Sequence, residues 1–321
     1  MTRRKFVKRF LKLLIVRIRS NIWLSLALLA LLILFFSLVL GEKAPTDRPV
    51  RPSPLPVSQN LPPPDISALH IFALDLDSRM VLYQKDADTR TYPASTTKMV
   101  TGIVAMENYS LDQSVSVGRE FTDGQRLGLK TGEVLSLEKL LFAMLVQSAN
   151  DAAEIIADQS PGGRDDFILR MNNKVTQWNL QNTHFQNPTG LDQDGHFSSA
   201  SDLVRIAEKF ISFPELRRIS STENAVISSS DFSSSYIVSN INELLGRVPG
   251  VLGIKTGFTD GAGQALVTLV NRNGHPVIIS VINSKDRFAD TERLISWIYS
   301  NFTWPESLPA GSSGQLPVRT P

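Results

Sequence analysis

Residues 92–107 read YPASTTKMVTGIVAME, a polar loop running into a segment whose apolar residues recur at helical spacing. The pattern predicts a helix over 97–107, with Ser95 at its start and Lys98 three residues on, along the same face. A helix N-terminus favours negative charge developing at Ser95 and disfavours a protonated Lys98. A serine hydroxyl is a weak nucleophile until a neighbouring base takes its proton, and a desolvated lysine can be that base. Yet a serine at a helix start is also an ordinary N-cap, and Ser-x-x-Lys recurs at Ser136–Lys139. The pair alone decides nothing.

Outward from it the order of elements is informative. Upstream, His70–Leu76 and Met80–Gln84 read as strands joined by a polar turn at Asp77-Ser78-Arg79. Downstream, Leu137–Gln147, Asn150–Asp158, Asp165–Trp178 and Ala200–Phe210 show apolar spacing near 3.6. Residues 250–258, 264–271 and 276–283 return to a β-pattern, with Asn273-Gly274 as a hairpin turn, and a last helix covers 290–299. Strands at both ends with helices between predict an α+β (mixed α/β) domain, one antiparallel sheet built from both chain ends with a helical region inserted.

Two further polar motifs fall at element boundaries. Ser148-Ala149-Asn150 sits between two helices, where a hydroxyl and a carboxamide can relay a proton and hold an amide; either residue is also a plausible cap, and Ser58-Gln59-Asn60 repeats the pattern. Lys255-Thr256-Gly257 lies in a strand-like run, where polar side chains can bind a carboxylate and Gly257 clears space for a substrate against the backbone. Lys130-Thr131-Gly132 repeats that tripeptide in a loop.

Taken together, Ser-x-x-Lys, Ser-x-Asn and Lys-Thr-Gly, in that order and on a helix start, a helix junction and a strand, resemble the signature of the serine β-lactamase and penicillin-binding superfamily. Within it the chain resembles the D-alanyl-D-alanine carboxypeptidases, the low-molecular-mass penicillin-binding proteins. The resemblance is carried by residues 92–107, LLFAMLVQSANDAAEIIA (140–157), THFQNPTGL (183–191), HFSSASDLVRIA (196–207) and VLGIKTGFTDGAGQALV (251–267). It covers the region from about 65 to 303. One departure is Trp178-Asn179, where the family pattern suggests a Leu-Gly-like pair.

The resemblance implies a β-lactamase/transpeptidase-like fold and roles for named residues. Ser95 would attack the carbonyl of the penultimate D-alanine and form the acyl-enzyme, with Lys98 as base. Ser148 would relay a proton to the leaving amine, and Asn150 would orient the substrate amide and Lys98. Lys255 would supply positive potential, Thr256 would bond the terminal carboxylate with help from Arg287, and the backbone N–H groups of Ser95 and Phe258 would form the oxyanion hole. The implied partners are peptidoglycan stem peptides ending in D-Ala-D-Ala and β-lactam antibiotics. No cofactor and no metal is implied, and His70, His184, His196 and His275 show no metal-ligand spacing.

Outside this region the chain changes character. Ile22–Leu40 is nineteen residues without a charge, which at helical rise spans roughly 28 Å, close to the ~30 Å core of a bilayer. Residues 1–21 carry eight basic residues and no acidic one, so the positive-inside rule places them in the cytoplasm and the rest outside. The expectation is an uncleaved transmembrane anchor rather than a signal peptide, whose apolar region is shorter and ends in a small-x-small site. The net charge of +2 therefore averages a basic tail and an acidic body, and no nucleic-acid partner is expected. Residues 41–64 are Pro-rich and predict an extended spacer, 65–304 the catalytic domain, and 305–321 a disordered tail. With so short a tail, the further C-terminal domain and anchor of many relatives are not expected, the N-terminal span taking over the tethering. The absence of cysteine excludes a cysteine nucleophile.

Three other readings use the same residues differently. A β-lactamase of this fold would need a glutamate that activates water for fast deacylation, and no loop glutamate stands out. A DD-endopeptidase would act on cross-links instead of free stem ends. A catalytically silent wall-binding scaffold would not need every polar motif residue, and all are present.

Overall fold

The computed structural model describes residues 54–305. The basic tail, the apolar span 22–40, the spacer up to residue 53 and residues 306–321 lie outside the described residues. Among the described residues no helix is long and apolar enough to cross a membrane.

The chain enters through β1 (Val57–Ser58), then forms β2 (His70–Asp75) and β3 (Val81–Lys85). A 3-10 turn, Ala94–Thr97, leads into α1 (Lys98–Asn108). The helical region continues with a short strand pair, β4 (Ser114–Ser116) and β5 (Val134–Ser136), then α2 (Leu137–Val146), α3 (Asn150–Ala157), α4 (Gly163–Gln177), α5 (Ala200–Ile211) and α6 (Pro214–Ser220). A hairpin, β6 (Asn224–Ser228) and β7 (Ser235–Ser239), precedes the C-terminal strands β8 (Val251–Thr259), β9 (Gly263–Arg272) and β10 (His275–Ser284), followed by α7 (Arg287–Asn301) and β11 (Phe302–Thr303).

The main sheet is antiparallel with strand order β3-β2-β10-β9-β8. The expected sheet from both chain ends is therefore present, with the helical region inserted between β3 and β8. Both its faces are covered, which explains the nearly unbroken apolar runs of β9 and β10. Val277, Ile279 and Val281 of β10 pack with Leu294, Ile295 and Ile298 of α7. The alternate residues Ile278 and Ile282 belong to the larger core formed with α1 to α5. Each such side chain contributes about 1.5–3 kcal/mol on burial. The outer strand β8 is left with an edge that faces the 3-10 turn, and the site forms along that edge.

The structure corrects several boundaries. Residues 57–62, expected as spacer, are part of the domain. Val57 and Ser58 pair with Thr303 and Phe302, Leu61 N–H donates to Asn301 Oδ1 at 2.8 Å, and Trp297 Nε1 donates to the Pro62 carbonyl at 2.8 Å. Proline lacks a donor but keeps its carbonyl, so an extended Pro-rich segment can still bind an edge. The last helix starts at Arg287, three residues early, because the Asp286 side chain caps it by accepting from Phe288 and Ala289 N–H. The β4–β5 and β6–β7 pairs and α6 lack a clear sequence period and are found only in the structure. Trp178-Asn179 is explained by conformation. Asn179 has φ 55 at the end of α4, a left-handed position that asparagine tolerates in place of glycine.

Candidate active site

Ser95 sits in the 3-10 turn, where residues three apart eclipse one another. This local geometry places Lys98 Nζ 2.9 Å from Ser95 Oγ. The preceding residue, Ala94, has φ 49, strain of the kind that accumulates at functional sites. Lys98 is fully buried. Its amine also donates to Asn150 Oδ1 at 2.7 Å and to the Thr189 carbonyl at 2.7 Å. Burial pushes its pKa down to about 7, partly opposed by the negative charges of Glu154 and Asp151. Near neutral pH the amine is therefore free to take a proton.

The second motif stands at the break between α2 and α3. Ser148 has φ 64, which turns its side chain out of the helix path so that its Oγ accepts from Lys255 Nζ at 2.8 Å. Lys255 is also buried, and its amine is held well below the usual lysine range by burial and then by the nearby Lys98 and Arg287. Asn150 holds Lys98 through its carboxamide oxygen, as expected. Its carboxamide N–H donates instead to the Asp123 carbonyl, at 3.1 Å, inside the protein.

A cavity of about 340 Å³ opens over these groups, lined by Ser95, Gly124, Gln125, Ser148, Ile241, Thr256, Gly257, Phe258 and Arg287. Thr256 Oγ1 and Arg287 Nε are buried and make no hydrogen bond within the protein. Two unsatisfied donors in one cavity are costly unless a ligand satisfies them. Arg287 is fixed by a bond from Nη1 to the Gly257 carbonyl at 3.0 Å, and it lines the cavity with Ser95, Ser148, Thr256, Gly257 and Phe258. Phe258 is 61% exposed at the mouth.

Gly257 needs a correction. A side chain there would meet Ala94 Cβ at 2.8 Å and Ser95 N at 3.0 Å. The space is taken by the Ser95 turn: glycine lets β8 and that turn approach closely.

Apart from the Ser95 and Phe258 N–H groups that the resemblance implies, sequence reasoning missed the groups that act through main chain. The Asn187-Pro188-Thr189-Gly190 turn presents the Thr189 carbonyl to Lys98. Asn187 Oδ1 shapes it by accepting from Gly190 N–H at 2.7 Å and Thr189 Oγ1 at 3.0 Å. Asn-Pro and the following glycine are a turn signal, but nothing local says which side chain the turn serves. His196 sits in a buried hydrogen-bond chain. Gln186 N–H donates to its Nδ1 at 3.0 Å, so Nε2 carries the proton and donates to Thr97 Oγ1 at 3.0 Å. Burial lowers its pKa to about 4, so the ring is neutral.

A serine and a buried lysine on one helix start, a second serine bound to a second buried lysine, and a cavity with unfilled donors define a serine acyl-transfer site. The comparisons agree. Residues 57–286 match the peptidase S11 family, D-alanyl-D-alanine carboxypeptidase. The chain is 33% identical over 266 residues to the D-alanyl-D-alanine carboxypeptidase DacA of Escherichia coli, covering 77% of this chain and 64% of that protein. It is 28% identical over 240 residues to DacF of Bacillus subtilis, covering 71% and 61%. A Streptomyces DD-transpeptidase superposes with a TM-score of 0.71 at 28% identity, covering 75% of this chain and 100% of that one. The chain belongs to the D-alanyl-D-alanine carboxypeptidase family and has the transpeptidase-like mixed α/β fold. It spans somewhat less than two thirds of the length of these two curated relatives.

Proposed function

We propose that the protein is a serine D-alanyl-D-alanine carboxypeptidase that removes the terminal D-alanine from peptidoglycan stem peptides and is acylated by penicillins. The observation that carries this reading is the buried Lys98 amine, 2.9 Å from Ser95 Oγ, beside a cavity lined by Ser95, Thr256 and Arg287, in which Thr256 Oγ1 and Arg287 Nε make no hydrogen bond within the protein. The substrate's terminal carboxylate docks on Thr256 and Arg287, next to the Lys255 amine that holds Ser148 Oγ. Ser95 Oγ attacks the penultimate carbonyl carbon while its proton passes to Lys98. The oxyanion forms at the backbone N–H groups of Ser95 and Phe258, where one donor is typically worth about 10²–10³ in rate. Collapse breaks the amide bond, Ser148 passes a proton to the departing D-alanine amine, and water then hydrolyses the ester.

D-Alanine release from a peptide ending in D-Ala-D-Ala, by the full chain in detergent and by its Ser95→Ala variant, tests the reading. Release by the parent and none by the variant supports it. No release by either, with cross-linked dimers cleaved, means an endopeptidase; rapid recovery from penicillin means a lactamase; no acylation at all means a scaffold. An added amine acceptor separates hydrolysis from transfer.

The acylation rate is expected to depend on pH through Lys98. Its pKa of about 7 makes the neutral base dominant above that pH. The second-order rate with penicillin should therefore fall about tenfold per unit below pH 7 and level off above it. A flat profile between pH 5 and 9 would remove Lys98 as base.

We further propose that the span 22–40 anchors the chain in the cytoplasmic membrane as a single pass, with the N-terminus cytoplasmic and residues 65–304 outside. The support is the length of the uncharged run and the basic cluster before it. The full-length chain should resist alkaline extraction from membranes, and its appearance in the soluble fraction at reduced mass would show a cleaved signal peptide.

A further inference from the structure

Between β4 and β5, residues 117–133 contain no helix or strand. Loops of that length in compact domains usually carry function. Gly124 and Gln125 of this loop line the cavity over Ser95. Two consecutive residues at the start of α3 hold it down.

Asn150 holds the first half. Its backbone N–H donates to the Gln125 carbonyl at 2.7 Å, and its Nδ2 donates to the Asp123 carbonyl at 3.1 Å. Asp151 holds the second half. Its carboxylate accepts from Leu127 N–H at 3.1 Å on each oxygen, from Gly128 N–H at 2.8 Å and from Leu129 N–H at 3.1 Å, and also from its neighbour Ala152 at 2.9 Å. Asp151 is 1% exposed and makes no salt bridge among the described residues. A buried carboxylate without a cation is costly, and here a fan of main-chain donors replaces its water. Such charge-assisted bonds are roughly twice as strong as neutral ones, so the loop is clamped firmly. The fit against Asn150 is tight: a side chain on Gly124, which has φ 67, would overlap Asn150 Nδ2.

We propose that Asp151 is a positioning residue for acylation: by clamping residues 127–129 it seats the 117–133 loop on Asn150, whose carboxamide oxygen holds Lys98 Nζ beside Ser95. The inference rests on the acyl-enzyme reading of Ser95. Asp151 touches neither substrate nor Ser95; it acts through the loop and Asn150, beside the upward pull of its charge on the Lys98 pKa, which Gly124→Ala leaves in place. In Asp151→Asn one accepting oxygen becomes an NH2 group facing other donors, so the clamp opens while the volume is kept. Without its seat, Asn150 no longer fixes the Lys98 amine.

The experiment is penicillin acylation of the full chain, resolved into a non-covalent dissociation constant and a first-order acylation rate, together with limited trypsin cleavage. Asp151→Asn should slow the first-order step about ten- to a hundredfold, the cost of misplacing a reacting group by about an ångström. The dissociation constant should stay within about threefold, because Thr256 and Arg287, proposed to hold the ligand carboxylate, make no hydrogen bond to the loop. Cleavage should rise selectively after Arg126, within the loop. Gly124→Ala leaves Asp151 in place but pushes the loop from Asn150, so it should show the same signature even if Asp151→Asn folds poorly. A parent that is acylated alongside variants acylated equally fast overturns the proposal. So does an effect confined to the dissociation constant, or a uniform rise in cleavage. A parent that is not acylated sinks the acyl-enzyme reading instead, and selective cleavage after Arg126 then decides the clamp alone.

Discussion

Replacing Lys98 by methionine is expected to abolish acylation of Ser95 while the domain still folds. The amine is the only group shown within hydrogen-bond distance of Ser95 Oγ among the described residues, at 2.9 Å. Its burial lowers its pKa to about 7, so the neutral form becomes available at neutral pH. Methionine has similar length and no proton acceptor of comparable basicity, so the hydroxyl loses its base and acylation should fall by about 10⁴-fold, as when one member of a catalytic unit is removed. Stability should change by no more than about 2 kcal/mol. Leaving Asn150 Oδ1 and the Thr189 carbonyl without their donor costs about 1–3 kcal/mol each, and an apolar side chain in place of a buried amine offsets most of it. Rates with a β-lactam and the midpoint of thermal unfolding measure both. Acylation above about a hundredth of the parental rate would transfer the base's role to another group, with Lys255 the first candidate. Loss of the folded state would mean that Lys98 is structural.

The second large effect is expected at a residue with no side chain. Gly190 has φ 90, and a Cβ there would overlap the Ala94 carbonyl oxygen, with Ser95 N at 2.9 Å. Gly190→Ala therefore combines a disfavoured backbone conformation with a collision against main chain, which has no rotamer to move. Together these should cost roughly 3–5 kcal/mol, a fall in melting midpoint of about 10 °C for a domain of this size. The collision strikes the turn that carries Ser95 and displaces the Thr189 carbonyl from Lys98, so acylation of the folded fraction should fall about a hundredfold. Gly118→Ala is the control, because a Cβ there meets nothing within 4 Å and stability should be unchanged or slightly raised. A Gly190→Ala protein with parental stability and rate would show that the 187–190 turn can shift without disturbing the site.

The two results would separate side-chain chemistry from main-chain support, and these differed in how far the sequence revealed them. Ser95, Lys98, Ser148, Asn150, Lys255 and Thr256 were legible because their chemistry lies in the side chain and their spacing follows a helix or strand. Lys98 meets Ser95 through a local offset of three residues, which a sequence pattern can express. The Thr189 carbonyl and the Asp123 and Gln125 carbonyls are main-chain atoms that every residue possesses, so no residue type marks them. Asp151 was hidden for a related reason. An acidic residue in the first turn of a helix already has an ordinary explanation in the helix dipole, and its donors lie more than twenty residues away at Leu127, Gly128 and Leu129.

By itself, then, the sequence determined the strands and helices of clear period, the assembly of one sheet from both chain ends, and the side chains proposed to carry the chemistry. Apolar periodicity and short motifs are local, and local patterns survive in one dimension. Tertiary structure alone decided that residues 57–62 close onto α7, that Gly257 makes room for the Ser95 turn, and that Arg287 reaches the cavity through the Gly257 carbonyl. It alone brought Ser148 to Lys255, 107 positions apart in the chain. These depend on which backbones approach one another after both faces of the sheet are covered, and burial in that assembled core is what brings the Lys98 amine down to about 7. A lysine in sequence is only a cation; desolvation by the surrounding fold is what lets this one exist as a neutral amine near neutral pH.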